Sequence, residues 1–177
     1  MTSQILALCG SLRAASINKT LLLAAQKTAA RHNADIALYE GLGNLPIFNP
    51  DNEDTYNIYV DDFRTALQRS DAILIASPEY AHGVTGAIKN ALDWVVASGE
   101  FMQKPVAFLN ASGRATIAQA ALIETILTMD ARIIDDACLT IALNGKNFTV
   151  DDILTDPESS AKLETVLGLL VQSAAPK

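Results

Sequence analysis

Apolar runs of strand length recur along this chain and alternate with longer segments of helical periodicity. The first four runs are QILALC, ADIALYE, DAILIAS and KPVAFLNAS, and a fifth lies near residues 137–143. Apolar runs of this kind are typical of parallel strands buried between two layers of helices. Five helical segments accompany them, and Asp156 and Pro157 suit the N-cap and first turn of the last one. The sequence therefore predicts an α/β three-layer sandwich, with a five-stranded parallel sheet and helices on both faces.

One domain over the whole chain, 1–177, is expected, because no linker or internal repeat interrupts the alternation. The formal net charge of −7 and the absence of a basic run argue against nucleic acid as a partner. The apolar runs are too short to cross a membrane, and the N-terminus lacks the basic region of a secretory signal. Cys9 and Cys138 lie in apolar stretches and are expected to be reduced core thiols. A cytoplasmic protein without a membrane partner is the resulting prediction.

Ligands of such sheets bind beyond the carboxyl ends of the strands, where the strand order reverses. The predicted strands one, three and four are followed by GSLRAASIN, SPEYAHGVTG and NASGRAT. We call these the first loop (10–18), the second loop (77–86) and the third loop (110–116). They are the segments in which we expect a binding site.

The first loop precedes a helix, and the N-terminus of a helix favours an anion. Ser11, Ser16 and Asn18 add neutral donors, and Arg13 adds a charged, forked one. The glycine patterns of a Walker A loop, of a dinucleotide-binding loop and of a hydrolase elbow are all absent. A terminal phosphate held by hydroxyls and Arg13 is one interpretation. A helix cap with a solvated arginine is the other, and the loop alone leaves both open.

Three segments in this order and spacing, GSLRAASIN, LPIFNPD and SPEYAHGVTGAIKNALDW, resemble the NADPH-dependent FMN reductase family. This is the flavodoxin-like group that includes quinone, chromate and azo-dye reductases. The similarity runs from about Ile5 to Gly145, and the SPEY and KNALDW block is its most specific part. The resemblance implies a flavodoxin-like fold, bound FMN, and NADPH or NADH as co-substrate. It also implies ping-pong hydride transfer to a quinone, free flavin, chromate or azo acceptor, with a homodimer or homotetramer as the assembly.

The resemblance also assigns roles to residues of the three loops. Those implied to hold the FMN phosphate are Ser11, Arg13, Ser16 and Asn18. Those implied to line the isoalloxazine ring are Pro78, Glu79 and Tyr80, largely through backbone groups, with Ser112 and Gly113 approaching from the third loop. His82, Gly83 and Arg114 are candidate contacts for nicotinamide or acceptor, although a loop histidine or arginine is often merely solvated. No catalytic acid or base is required, because the chemistry belongs to the cofactor.

The chain departs from the family pattern at several positions. Thr85 stands where proline is common, Ala81 where asparagine is common, and the third loop is short. These changes leave the flavin site intact and put the shape of the acceptor pocket in question. The helix that carries Lys89, Asn90, Asp93 and Trp94 is implied at a dimer interface, with Trp94 expected to serve packing.

Two other functions stay open at this point. A flavodoxin-like carrier of single electrons would suit the acidic charge, although the phosphate loops of flavodoxins are usually rich in Thr and Gly and lack arginine. A flavin-free regulatory module on the same fold is the second alternative. The scattered His and Cys residues have no metal-ligand spacing, so no metal is expected.

Overall fold

Residues 2–143 and 148–174 of the chain are described by the computed structural model. Its sheet is parallel at every pairing and has the order β2-β1-β3-β4-β5, with a sixth short strand that also pairs with β4. The strands are β1 Ser3–Cys9, β2 Ala34–Tyr39, β3 Ala72–Ala76, β4 Pro105–Asn110, β5 Arg132–Ile133 and β6 Leu139–Thr140. The strand order reverses between β1 and β3, so the first and second loops are neighbours at the switch point.

Two short strands stand where the sequence predicts one fifth strand. β5 pairs with the start of β4 and β6 pairs with its end, and the turn Asp135–Ala137 lies between them. The exposed side chains of Asp135 and Asp136 explain the break, because aspartate favours turns over strand interiors. The predicted strand near residues 137–143 is therefore reduced to the two residues of β6.

Helices cover both faces of the sheet. They are α1 Ile17–Ala29, α2 Ile58–Arg69, α3 Gly86–Asp93, α4 Ile117–Leu127, α5 Val150–Thr155 and α6 Pro157–Ala174. The Asp156 carboxylate accepts the Ser159 N–H at 2.8 Å, which confirms the predicted cap of α6. The short helix α5 was not expected; Thr149 and Asp152 form a capping box at its start. α3 ends at Asp93, short of the predicted Gly99, because the Val95 N–H turns to the tighter bond with the Leu92 carbonyl.

The side chains of alternate residues in each central strand pack into two separate cores, one on each face of the sheet. Ile5, Ala7 and Cys9 pack with α1, α5 and α6, whereas Leu6 and Leu8 pack with α2, α3 and α4. This alternation confirms the three-layer sandwich. The buried face of α2 is formed by Val60, Phe63 and Leu67; the predicted Tyr59 is about half exposed, because the helix is rotated by one residue from the expected face. In the described ranges, no helix combines the length and apolar character needed to span a bilayer.

Candidate functional site

The first and second loops begin in direct contact. A Cβ on Gly10 would lie 2.6 Å from the Ser77 Cβ, which is too close for two carbon atoms that are not bonded to each other. The Gly10 N–H donates to the Ala76 carbonyl at 2.9 Å, and the buried Thr85 hydroxyl donates to the Gly10 carbonyl at 2.6 Å. Thr85, the departure from the common proline, thus ties the end of the second loop to the start of the first. Proline has no donor for this bond.

The second and third loops are joined by Glu79. Its Oε2 accepts the Ala118 N–H at 2.8 Å, at the second position of α4, while Oε1 lies 3.0 Å from His82 Nδ1. The Thr116 side chain makes no cap bond, so Glu79 caps α4 from another loop. The Ala118 N–H is the main cause that holds the pKa of Glu79 below its ordinary value, with His82 adding to it. The side chain of Glu79 therefore has a structural task beyond the backbone role implied by the resemblance.

The third loop is organised by Asn110, which the sequence analysis did not single out. Its Oδ1 accepts the Ser112 N–H at 2.9 Å, and its Nδ2 donates to the Ala115 carbonyl at 2.9 Å and to Gln119 Oε1 at 2.7 Å. Asn110 is buried. The signal was an asparagine as the last residue of an apolar strand, because a buried amide must find partners.

The tip of the second loop is a tight turn. Tyr80 and Gly83 exchange both backbone hydrogen bonds, at 3.2 and 2.9 Å, and the two residues between them have left-handed backbone. Their φ angles are 49° for Ala81 and 59° for His82. Asparagine tolerates this conformation better than alanine, which gives a physical reason for the common asparagine at position 81. The turn leaves the Tyr80 ring about half exposed.

The first loop contains both a helix cap and unused polar groups. Ser16 is the N-cap of α1, and its hydroxyl accepts the Lys19 N–H at 3.3 Å. The Ser11 hydroxyl accepts the Arg13 N–H at 3.4 Å. The Asn18 side chain is 5% exposed, yet its Oδ1 has no hydrogen-bond partner among the described residues. The exposed Arg13 guanidinium has none there either.

Two adjoining clefts lie between these loops. The first cleft, of about 510 Å³, is lined by Ser11, Arg13, Ala15, Ser16, Ile17, Asn18, Thr20, Pro78, Tyr80, Leu143 and Phe148. The second cleft, of about 230 Å³, is lined by Ile17, Asn18, Ser77, Pro78, Glu79, Asn110, Ala111, Ser112, Arg114 and Ala115. Ile17, Asn18 and Pro78 belong to both, so the clefts share a wall. Arg13 and Ser11 also line a separate cleft of about 320 Å³ toward the end of β2.

Most of the predicted site residues therefore meet at these clefts. The exceptions are Gly113, His82 and Gly83, which are not brought into the lining of either one. Gly113 lies on the exposed rim of the third loop, and His82 points its ring toward Glu79. Asn90 and Trp94 are engaged within the chain, because both donate to the Pro46 carbonyl, at 2.9 and 2.7 Å. The KNALDW segment thus holds the LPIFNPD loop in place.

The donors at the first cleft fit a terminal phosphate. The first turn of α1 has no acidic residue, and Ser16 satisfies only one of its first backbone N–H groups. The free Arg13 guanidinium lines the same space as Asn18, whose buried Oδ1 has no partner among the described residues. Oδ1 accepts hydrogen bonds, so Asn18 would donate to a phosphate only with the amide turned to present Nδ2. The second cleft offers proline, alanine and backbone walls suited to a flat ring. Within residues 2–143 and 148–174, no cluster of three or more metal-ligating side chains occurs.

Comparison with known proteins agrees with this geometry. The profile of the NADPH-dependent FMN reductase family matches residues 3–144. A Solanum tuberosum protein, NAD(P)H:quinone oxidoreductase, is 32% identical over 98% of this chain and 93% of its own. A Pseudomonas aeruginosa NAD(P)H-dependent FMN reductase is 30% identical over 94% and 92%.

Among solved structures, the flavoenzyme NAD(P)H:(acceptor) oxidoreductase FerB from Paracoccus denitrificans superposes with a TM-score of 0.78. It is 25% identical, with 97% of each chain covered. The parallel sheet, the cleft at the start of α1 and the match over most of the sequence lead to one assignment: the chain belongs to the NADPH-dependent FMN reductase family.

Proposed function

We propose that this protein is an FMN-dependent NAD(P)H oxidoreductase that reduces a quinone or another small-molecule acceptor. The observation that carries the proposal is the buried Oδ1 of Asn18, which lacks a partner in the described residues and belongs to a residue in the wall shared by the two clefts. A buried acceptor without a donor is costly, so the physical expectation is a ligand that donates to Oδ1, or one that accepts from Nδ2 once the amide is turned. The family relationship supports FMN as that ligand.

The phosphate of FMN binds at α1 and not at α4 in this proposal. Both helices begin at loops that line the clefts, and both offer a positive N-terminal end. The Glu79 carboxylate already occupies the end of α4, so a second anion there would meet like charge. The end of α1 has no carboxylate and has Arg13 beside it. Ser11, Arg13, Ser16 and Asn18 are the proposed phosphate ligands.

The isoalloxazine ring is assigned to the second cleft. Pro78, Glu79, Ser112 and their backbone groups line that space, and Asn110 holds the third loop in position. FMN, when bound, supplies the hydride chemistry between NAD(P)H and the acceptor. The chain orients the partners, leaves one side of the cleft open and needs no acid or base of its own. Gly113 is proposed as a rim residue beside the ring, and His82 and Gly83 as rim contacts for the acceptor.

The assembly is proposed to be a homodimer or homotetramer acting in the cytoplasm. Large apolar side chains exposed near the start of α2, Tyr56 and Ile58, together with Ile47, support association. Two free thiols, at Cys9 and Cys138, suit a reducing compartment. Light scattering at micromolar concentration tests the assembly, and a single monomeric species would refute it.

The visible spectrum of the purified protein tests the function most directly. We expect flavin absorbance after incubation with FMN, and bleaching of that absorbance when NADPH or NADH is added without oxygen. Re-oxidation by a quinone in the absence of oxygen should restore it. A protein that stays colourless with FMN would refute the flavin site. A yellow protein that neither nicotinamide bleaches would be an electron carrier and not a reductase.

A further inference from the structure

Basic side chains in this acidic protein are almost all engaged. Of those in the described part of the chain, only Arg13, Arg69 and Arg114 have neither a hydrogen bond nor an ion pair from their side chains. Two of these three, Arg13 and Arg114, line the clefts at the carboxyl ends of the strands. In a chain of net charge −7, each of the two clefts thus has one guanidinium that makes no ion pair within the described residues.

In the proposed function, Arg13 binds the FMN phosphate, and no group is yet assigned to Arg114. We propose that Arg114 binds the 2′-phosphate of NADPH and sets the preference of this enzyme for NADPH over NADH. This inference rests on the proposed function. An arginine is the residue type that accommodates this phosphate in nucleotide sites, because its planar fork makes paired, charge-assisted hydrogen bonds.

The placement of Arg114 suits the nucleotide donor better than the acceptor. Its side chain is exposed at the rim of the second cleft, while the Ser112 hydroxyl accepts its backbone N–H at 3.3 Å and steadies the loop. A nicotinamide that reaches the ring leaves its adenosine end extending outward, toward the rim. A neutral quinone stacked on the ring has no anionic group for a rim guanidinium to bind.

No described carboxylate in the second cleft competes for Arg114. Glu79 lines that cleft, but its two oxygens are engaged by the Ala118 N–H and by His82. The guanidinium is therefore available to an incoming anion. Arg69, the third unpaired arginine, lies at the end of α2 and lines neither cleft, so it provides a matched control.

The test compares the variants Arg114→Gln and Arg69→Gln, which remove the same charge from two different places. NADP⁺ and NAD⁺ are titrated into the FMN-loaded proteins by isothermal titration calorimetry. We expect the ratio of NADP⁺ to NAD⁺ affinity to fall roughly 10-fold or more in Arg114→Gln, as lost charged hydrogen bonds to a phosphate predict. Arg69→Gln should keep the ratio of the parent protein.

Salt and kinetics give two further readouts. The NADP⁺ affinity of the parent protein should fall with added salt more steeply than the NAD⁺ affinity, and this difference should shrink in Arg114→Gln. The ratio of kcat/KM for NADPH over NADH should fall in the same variant. A parent protein without preference for NADPH would overturn the inference, as would equal weakening of both nucleotides or an effect confined to the KM of the acceptor. A protein that binds no FMN would instead refute the proposed function, so the two failures are distinguishable.

Discussion

Replacing Gly10 with alanine should separate the first two loops of the site. The new Cβ would lie 2.6 Å from the Ser77 Cβ, closer still to its Oγ, and 3.1 Å from its Cα. The hydroxyl could rotate away, but the Cβ can move only with the backbone. Displacing that backbone would strain the 2.9 Å bond between the Gly10 N–H and the Ala76 carbonyl. Overpacking costs about 1–3 kcal/mol and a lost hydrogen bond about 1, so we expect a loss of about 2–4 kcal/mol.

Urea unfolding of the FMN-free protein, followed by far-UV circular dichroism, measures this loss. Gly113→Ala is the control, because a Cβ there meets nothing within 4 Å and Gly113 does not have a positive φ. Its free energy of unfolding should stay within about 0.5 kcal/mol of the parent value. Ser77→Gly removes the two closest atoms, so the double variant should recover part of the loss, with a coupling energy of at least about 1 kcal/mol. Equal stability of the two alanine variants, or no coupling, would refute the close-contact explanation.

Three further predictions concern the first loop, the turn at the tip of the second loop, and the ion pair between Arg31 and Glu164 of α6. Arg13→Ala should weaken FMN binding roughly 10- to 100-fold, measured by flavin fluorescence titration. Its free energy of unfolding in urea should change little. Unchanged FMN affinity would favour the helix-cap interpretation. Ala81→Gly should stabilise the protein by about 0.5–1 kcal/mol in urea unfolding, because it relieves left-handed alanine backbone at φ 49°; a loss of stability would contradict this. Glu164 has a lowered pKa, chiefly because Arg31 donates a hydrogen bond to it. The stabilisation of the fold by ionised Glu164 is therefore complete above the unfolded pKa and is lost as pH falls through the lower folded pKa. In thermal unfolding, Glu164→Gln should lower the stability near neutral pH and lower it progressively less in acid. A difference from the parent protein that stays constant with pH would argue against this.

The sheet and its two helical layers could be predicted from the sequence because each strand and helix leaves a local periodic signal. β3 is apolar at every position, and the apolar runs of β1 and β4 are broken only at a strand end, by Ser3 and Gln4 and by Asn110. The α6 stripe with its Asp156 cap is equally local. The fifth strand was misjudged because Asp135 and Asp136 impose a turn inside an apolar stretch, and only pairing with β4 shows which residues remain extended. Strand edges depend on a partner that periodicity does not reveal.

Most of the residues that line the clefts could also be predicted, but not the hydrogen bonds that hold them in place. Glu79 is expected at the ring through its backbone, which stays a prediction; that its carboxylate also caps α4, through Ala118, 39 residues further along the chain, was not foreseen. Asn110 holds the third loop in position, and its place as the polar last residue of an apolar strand was a signal, but the local sequence does not show which partners its amide finds. Such partners are chosen by the sheet order, which brings distant loops to one edge. Their identity therefore follows from topology and cannot be derived from local sequence.

The three loops are consequently held together by hydrogen bonds between them. Thr85 joins the second loop to the first through Gly10, and Glu79 joins the second loop to α4 and so to the third. The second loop is the common member of both links. A substitution in it that broke either bond would change the spacing between the proposed phosphate and ring positions without touching a proposed ligand of the phosphate. The departures from the family pattern at Thr85 and Ala81 both lie in this loop. We therefore expect the second loop to be the first source of any difference between the acceptors that this enzyme reduces and those of its relatives.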